Sequence, residues 1–138
     1  MKKYSFFLIT LFALNVSFAQ TWKRIVPVIP DILLRDVKFV DVNTGYVVGD
    51  SGLILKTTDG GEKWYRQNSG TKGTINSVYF TDLNTGFAVA VTGTGTGMLL
   101  KTSDGGEHWI VHRIDSLFGL WNIFFLNHDT GFALGTYY

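Results

Sequence analysis

The sequence predicts an all-β protein, a β-propeller of four-stranded antiparallel blades. Three observations support this fold class: a repeat of about 40 to 45 residues, turn residues at the same places in each copy, and short apolar runs without a helical period. Four short antiparallel strands per repeat are typical of a propeller blade. We expect two complete blades and a truncated third, so the ring is incomplete.

The repeat is visible when residues 34–64 are aligned with residues 75–109. A third copy begins at residue 120 and continues to Tyr138. The turn Asn43-Thr44-Gly45 of the first copy recurs as Asn84-Thr85-Gly86 and as Asp129-Thr130-Gly131. The predicted boundaries are about 33–68 for blade 1, about 74–113 for blade 2 and about 119–138 for the partial blade 3.

Each complete copy divides into four strands, which in the first copy are expected at residues 36–40, 45–48, 53–57 and 63–67. The intervening Asn-Thr-Gly, Gly-Asp-Ser-Gly and Asp-Gly-Gly sequences contain residues that tolerate positive φ and permit tight hairpins. The inner strands, such as Gly-Tyr-Val-Val-Gly, are apolar at successive positions. A sheet covered on both faces, as a blade between two neighbours is, needs this composition.

The N-terminus has the pattern of a signal peptide at residues 1–19. Lys2 and Lys3 precede an apolar run at residues 6–14, and Ser17 and Ala19 give a cleavage site. We therefore expect a secreted protein, extracellular or periplasmic, that does not insert in a membrane after cleavage. A buried N-terminal helix or a retained anchor is the alternative.

Residues 21–27 resemble the fourth strand of a blade, because Thr21-Trp22-Lys23-Arg24 is similar to Lys63-Trp64-Tyr65-Arg66. We interpret them as an orphan outer strand that completes the last blade of a closed ring. An uncovered blade face exposes roughly 300 Å² of apolar surface, worth roughly 7 kcal/mol. We therefore expect missing C-terminal blades from the same chain, with an oligomeric or half-open assembly as the alternative.

The charge balance excludes some classes of partner. The 138 residues contain 12 basic and 11 acidic side chains and no cysteine. Loss of Lys2 and Lys3 leaves a formal charge of −1, so neither nucleic acid nor an anionic membrane is an expected partner. Packing alone, without disulfides, must hold the fold.

Two segments in phase with the repeat fit the pattern Ser/Thr-x-Asp-x-Gly-x-x-Trp. Their matching residues are Thr57, Asp59, Gly61 and Trp64 in the first copy and Thr102, Asp104, Gly106 and Trp109 in the second. The Asp carboxylate can accept bonds from backbone amides of the turn, the Gly can adopt positive φ, and the Trp can pack under the turn. This pattern predicts a structural hairpin and no catalytic residue.

These segments resemble the Asp-box, or bacterial neuraminidase repeat (BNR). With the preceding Asn-Thr-Gly-aromatic turn, the chain is most similar to propellers of the photosystem II assembly and stability factor family and their secreted bacterial relatives. The resemblance covers residues 21–138. It implies a protein-binding or scaffolding module. We expect the partner to be a protein or an extracellular polymer.

An enzyme is the alternative, since sialidases and xyloglucan-cleaving glycosidases also carry Asp-boxes. Sialidases need an arginine cluster and a tyrosine nucleophile, and other glycosidases need two facing carboxylates. The candidates are few: Arg24, Arg35, Arg66, Arg113 and Asp36. Asp36 has Ser77 and Asn122 at its repeat-equivalent positions, so it is a lone carboxylate that could face the central channel. The chain would then be the N-terminal fragment of a glycoside hydrolase, but a non-catalytic role is favoured.

No cofactor or metal site is predicted. The glycines of residues 93–97 lack the ending of a phosphate-binding loop, the three histidines (His108, His112, His128) lack metal-ligand spacing, and Asp59 and Asp104 lack the oxygen series of a calcium loop.

The segment at residues 91–97 is longer than its counterpart in the first copy. We interpret Thr92, Thr94 and Thr96 as a contact loop, with the connector at residues 115–119 behind it.

Overall fold

The computed structural model describes residues 31–137, which contain nine β-strands and no helix. The strands are β1 Leu34–Phe39, β2 Gly45–Gly49, β3 Leu53–Thr57, β4 Tyr65–Asn68, β5 Thr74–Phe80, β6 Gly86–Val91, β7 Thr96–Thr102, β8 Ile110–Phe125 and β9 Gly131–Thr136. They form two antiparallel sheets, ordered β1-β2-β3-β4 and β5-β6-β7-β8-β9. The predicted all-β fold class is confirmed. The predicted signal peptide at residues 1–19 and the orphan strand at 21–27 lie outside the described residues.

The first sheet is one four-stranded blade with tight hairpins. Between β2 and β3, Ser51 and Gly52 have φ values of 58° and 67°, the left-handed conformation that such a turn requires. β3 has the expected bounds, whereas β4 begins two residues later than expected. The reason is that Lys63 donates its backbone N–H to the Asp59 carboxylate at 2.9 Å and so belongs to the turn.

The second sheet contains one blade and the first two strands of another, joined by the 16-residue strand β8. The first half of β8 pairs with β7, from Ile110 opposite Lys101 to Ile114 opposite Gly97. Its second half pairs with β9, with register shifts on either side of Leu120. The segment 115–119, expected to be a connector, lies within strand β8 but is irregular. Residues 115–117 bulge out of the β7 ladder, since Gly97 is opposite Ile114 and Thr96 is opposite Phe118, and Gly119 has a positive φ of 76°.

The largest core cluster lies between the first two blades. Tyr46, Val48 and Ile54 of the first blade pack against apolar side chains of β5, β6 and β7. The ring of Phe80 is stacked on Tyr46 with centroids 3.9 Å apart and meets Trp109 edge-on at 6.0 Å. The next interface repeats this arrangement, since Phe125 is stacked on Phe87 at 4.6 Å.

In every copy a glycine makes room for the inner-strand phenylalanine. A Cβ atom on Gly45, Gly86 or Gly131 would lie 2.8, 2.5 or 2.7 Å from the ring of Phe39, Phe80 or Phe125 respectively. Real Cβ atoms essentially never come that close to another heavy atom. The glycine of each Asn/Asp-Thr-Gly turn therefore serves ring packing as well as the turn.

Candidate functional site

The first Asp-box turn is closed by its own hydrogen bonds. The Thr57 hydroxyl donates to Asp59 Oδ1 at 2.8 Å and accepts the Gly61 N–H at 3.0 Å. Asp59 Oδ1 also accepts the Lys63 N–H, and these bonds lower the pKa of Asp59. The Trp64 indole donates to the Gly61 carbonyl at 3.1 Å. The carboxylate thus holds the backbone of the turn.

The second Asp-box repeats the hydrogen bonds of the threonine and the aspartate. Thr102 donates to Asp104 Oδ1 at 2.8 Å and accepts from Gly106 N at 3.0 Å. The His108 backbone N–H donates to Asp104 Oδ1 at 3.0 Å, and His108 Nδ1 lies 2.8 Å from Oδ2. These bonds, the backbone one most of all, lower the pKa of Asp104 to about 2. The Trp109 indole N–H is buried and has no hydrogen-bond partner.

Replacing Thr102 with valine is expected to lower the free energy of unfolding by about 1 to 2 kcal/mol. The isosteric change leaves the buried Gly106 N–H without its acceptor, and buried polar groups are costly when unpaired. Chemical denaturation followed by circular dichroism measures the change. The matched control is Ser103→Ala, since Ser103 is the exposed neighbour in the same turn. Equal stability of the two variants would contradict a structural role for the Thr102 hydroxyl.

The opposite ends of the strands form what we call the loop face. It carries the β2–β3 turn, the connection at residues 69–73, the β6–β7 turn at residues 92–95 and the middle of β8. The contact loop is closed by Thr92, whose N–H donates to the Thr96 carbonyl at 2.9 Å and whose hydroxyl accepts the Thr96 N–H at 2.9 Å. Gly93 and Thr94 are exposed at its tip. Thr96, also expected to be a contact, is the first residue of β7.

The contact loop packs against the segment that was expected behind it. Gly95, with a φ of 94°, lies directly against the Phe118 ring, and Gly97 lies against Leu117. Thr96 pairs with Phe118 in the β7–β8 ladder. We call residues 92–96 together with 115–121 the loop platform. The two departures from the repeat are thus one structural unit.

Two exposed aromatic side chains belong to the loop platform. Phe118 is 39% exposed and Trp121 46% exposed. Tyr137 follows Thr136, which is paired with Phe118 and donates its hydroxyl to the Phe118 carbonyl. The sequence analysis missed Phe118 and Trp121 as candidates. The signal was available, because Trp121 stands where the other copies have Arg35 and Asn76.

At the propeller axis, Asp36 joins the first two blades. Its Oδ1 accepts the Val37 N–H at 2.8 Å, and its Oδ2 accepts the Ser77 hydroxyl at 2.9 Å and the Val78 N–H at 3.1 Å. Ser77 Oγ also lies 3.2 Å from Asn122 Oδ1. The three repeat-equivalent residues are therefore in contact, and the carboxylate is used to connect strands.

These residues line a recess of about 410 Å³. Lys38, Tyr79 and Phe124 complete it on one side, with Lys38 Nζ 4.8 Å from the centre of the Tyr79 ring. Of the described residues that line the recess, Asp36 alone carries a carboxylate. A glycosidase pair of facing carboxylates is therefore not assembled here.

The described arginines lie apart from this recess. Arg35 Nε donates to Asp50 Oδ1 at 2.8 Å, and this bond lowers the pKa of Asp50. Arg66 borders a separate polar recess of about 350 Å³ with Gly52, Ser69 and Thr71. Arg24 lies outside the described part of the chain.

Two of the histidines each lie beside one aspartate. His128 Nδ1 is 3.7 Å from Asp82 Oδ2, and His108 pairs with Asp104. Within residues 31–137 there is no group of three His, Cys, Asp or Glu side chains that could hold a metal ion. No helix in that range is long and apolar enough to span a membrane.

The repeated blades and the turn geometry define a β-propeller of BNR repeats. The family model described as photosynthesis system II assembly factor YCF48 matches residues 14–110. The chain belongs to this family.

Curated relatives agree with this assignment. The chain is similar to the photosystem II assembly lipoprotein Ycf48 of two strains of Prochlorococcus marinus. One match is 39% identical over 75 residues, covering 45% of this chain and 22% of the relative. The other is 48% identical over 33 residues, covering 24% of this chain and 10% of the relative.

Two solved structures share the fold. The structure described as YCF48 bound to D1 peptide has a TM-score of 0.64 and 25% identity, covering 75% of this chain and 33% of that one. YCF48 from Cyanidioschyzon merolae has a TM-score of 0.62 and 20% identity, covering 75% and 35%. The matched region spans about a third of the solved relatives and less of the curated ones.

Proposed function

We propose that this chain is a non-catalytic, exported propeller module that binds a segment of another protein through its loop face. The observation that carries this proposal is the loop platform, where two departures from the repeat pack together and place Thr94, Phe118 and Trp121 at the surface. Exposed aromatic side chains are enriched at protein–protein contacts. Scaffolds of repeated blades commonly place specificity in such loops.

The relatives support a protein partner over an extracellular polymer. One solved relative is described as bound to a D1 peptide, and the curated relatives are described as photosystem II assembly lipoproteins. Export rests on the signal-peptide pattern at residues 1–19 and on that lipoprotein description. The C-terminal blades expected from the same chain stay a prediction.

The glycoside hydrolase alternative has less support. It needs a pair of carboxylates or an arginine cluster. Asp36 accepts three hydrogen bonds from the protein itself, and Arg35 is held by Asp50. The geometry of the described residues favours binding.

The test is selection of random displayed peptides on the wild-type protein, followed by measurement of the dissociation constant of the enriched peptides. Replacing residues 93–97 by the Asp-Ser-Gly turn of the first copy, or Phe118 by alanine, is expected to weaken binding at least tenfold. Loss of a central aromatic contact commonly has that effect.

Ser103→Ala is the matched control, because Ser103 is exposed at the opposite end of the same blade. It should leave binding unchanged. Failure to enrich any peptide, or equal binding to the wild type and the loop-replaced variant, would overturn the assignment of the loop face.

A further inference from the structure

The chain contains two Asp-Gly dipeptides, Asp59-Gly60 and Asp104-Gly105, and both lie in the Asp-box turns. A glycine after an aspartate favours spontaneous isomerisation, because no side chain hinders the backbone nitrogen of the glycine. The sequence Asp-Gly-Gly-Glu is the same in the two turns. The two dipeptides should therefore react at similar rates when the chain is unfolded.

The isomerisation needs no reagent other than water. The backbone nitrogen of the glycine bonds to Cγ of the aspartate, and the carboxyl hydroxyl leaves as water with the proton of that nitrogen. One water then opens the five-membered succinimide. Attack at the main-chain carbonyl gives isoaspartate, in which the main chain passes through Cβ, and attack at Cγ restores aspartate.

The fold holds the nucleophile of the second dipeptide in place. The Gly105 N–H donates to the Asn84 carbonyl at 2.8 Å, and the Gly105 carbonyl accepts the Tyr46 hydroxyl at 2.8 Å. Gly105 is buried, and Lys56 Nζ lies 3.3 Å from the position of a Cβ atom on it. Attack on Cγ requires this N–H to lose its proton and the peptide unit to rotate, so the bond to Asn84 must break first.

The fold also holds the carboxyl group that would be attacked. Asp104 Oδ1 accepts the Thr102 hydroxyl at 2.8 Å and the His108 N–H at 3.0 Å. The backbone bond from His108 makes the largest contribution to lowering the pKa of Asp104 to about 2. The protonated carboxyl is the reactive form, because its hydroxyl leaves as water. Each unit by which the pKa falls lowers the protonated fraction about tenfold, so the carboxylate of the closed turn is unreactive.

We propose that Asp104-Gly105 is a modification site at which isoaspartate forms when the Asp-box turn opens and not while it is closed. The groups that hold this turn belong to the first two blades, which are both complete. Isoaspartate lengthens the main chain of the turn by one methylene and moves the free carboxylate away from Thr102 and His108. A transient opening of the turn therefore becomes a permanent change at the interface between the first two blades.

Peptide mapping of the full chain tests the proposal. Trypsin releases residues 57–63 and residues 102–113 as separate peptides, since a lysine precedes each and a lysine or arginine ends it. The methyltransferase specific for isoaspartate measures the modification in each peptide, after incubation of the native protein and of the protein unfolded in guanidinium chloride at the same pH. In the unfolded protein the two peptides should gain isoaspartate at similar rates. In the native protein Asp104 should isomerise at least about tenfold more slowly, because the turn must open first.

A pair of variants separates opening of one turn from unfolding of the whole chain. Thr102→Val is expected to raise the native rate at Asp104 about 5- to 30-fold, the factor that corresponds to its expected loss of stability. The native rate at Asp59 should stay unchanged. Thr57→Val should have the reciprocal effect, since Thr57 donates to Asp59 at 2.8 Å in the first turn.

Ser103→Ala is the control, because Ser103 is the exposed residue beside Asp104. It should leave both native rates as they are in the wild type. A native rate at Asp104 equal to the unfolded rate would overturn the proposal, and this comparison needs no variant. Equal acceleration of Asp59 and Asp104 by Thr102→Val would also overturn it, since isomerisation would then proceed through unfolding of the whole chain.

Discussion

Replacing Tyr46 with alanine is expected to lower the free energy of unfolding by about 3 to 5 kcal/mol, the usual range for a large buried aromatic residue. Tyr46 is fully buried between the first two blades, and its ring is stacked on Phe80 at 3.9 Å. Its hydroxyl donates to the Gly105 carbonyl at 2.8 Å, which ties the first blade to the Asp-box turn of the second. Urea denaturation of the wild type and the variant measures the difference.

The control is Tyr46→Phe, which keeps the ring and removes the hydroxyl. It is expected to cost about 1 kcal/mol, the net worth of an ordinary hydrogen bond. A stability of Tyr46→Ala within about 1 kcal/mol of the wild type would contradict the central place of this ring in the core.

The wild type and Tyr46→Phe should also differ in how their free energy of unfolding depends on pH in alkaline solution. Burial, with a smaller contribution from Glu107, raises the pKa of Tyr46 from 10.0 to about 12. The unfolded chain therefore loses this proton before the folded chain does. The contribution of the protonated Tyr46 hydroxyl to the free energy of unfolding is therefore complete below pH 10 and is lost as the pH rises towards 12. Tyr46→Phe should lack this part of the pH dependence.

The sequence was sufficient for the architecture because the decisive signals are local. The Asn-Thr-Gly and Asp-Gly-Gly turns position the hairpins, and β3 has the bounds that its apolar run predicts. Thr57, Asp59 and Gly61 interact within five residues of one another, so their roles follow from spacing. Short-range chemistry of this kind is readable without coordinates.

Features that depend on contacts between blades could not be predicted from local sequence spacing. The stacking of Phe80 on Tyr46 joins residues 34 positions apart, and neither residue type indicates its partner. The strand β8 continues past residues 115–117 because β7 pairs with Ile114 and Phe118 on either side of them and β9 pairs with Phe118, a tertiary effect that overrides the local turn signal. The sequence predicts Asp36 as a lone carboxylate, whereas its bonds to Ser77 and Val78 form only because two blades are adjacent.

Replacing the glycine of an Asn/Asp-Thr-Gly turn is the second change expected to have a large effect on stability. Replacing Gly86 with alanine is expected to lower the free energy of unfolding by about 3 kcal/mol, the upper end of the usual range for overpacking. The new Cβ would lie 2.5 Å from the Phe80 ring. That ring cannot shift freely, because Tyr46 lies on one face and Trp109 meets it edge-on.

The matched control, Gly93→Ala, separates this clash from the general effect of removing a glycine. Nothing lies within 4 Å of a Cβ atom on Gly93. Alanine there should be neutral or stabilise by about 0.4 to 1 kcal/mol, because it restricts the unfolded chain. Gly131→Ala should cost less than Gly86→Ala, since Gly131 and its neighbour Phe132 are exposed. If denaturation gives Gly86→Ala the stability of Gly93→Ala, the ring is free to move and the interface between the first two blades is looser than its contacts indicate.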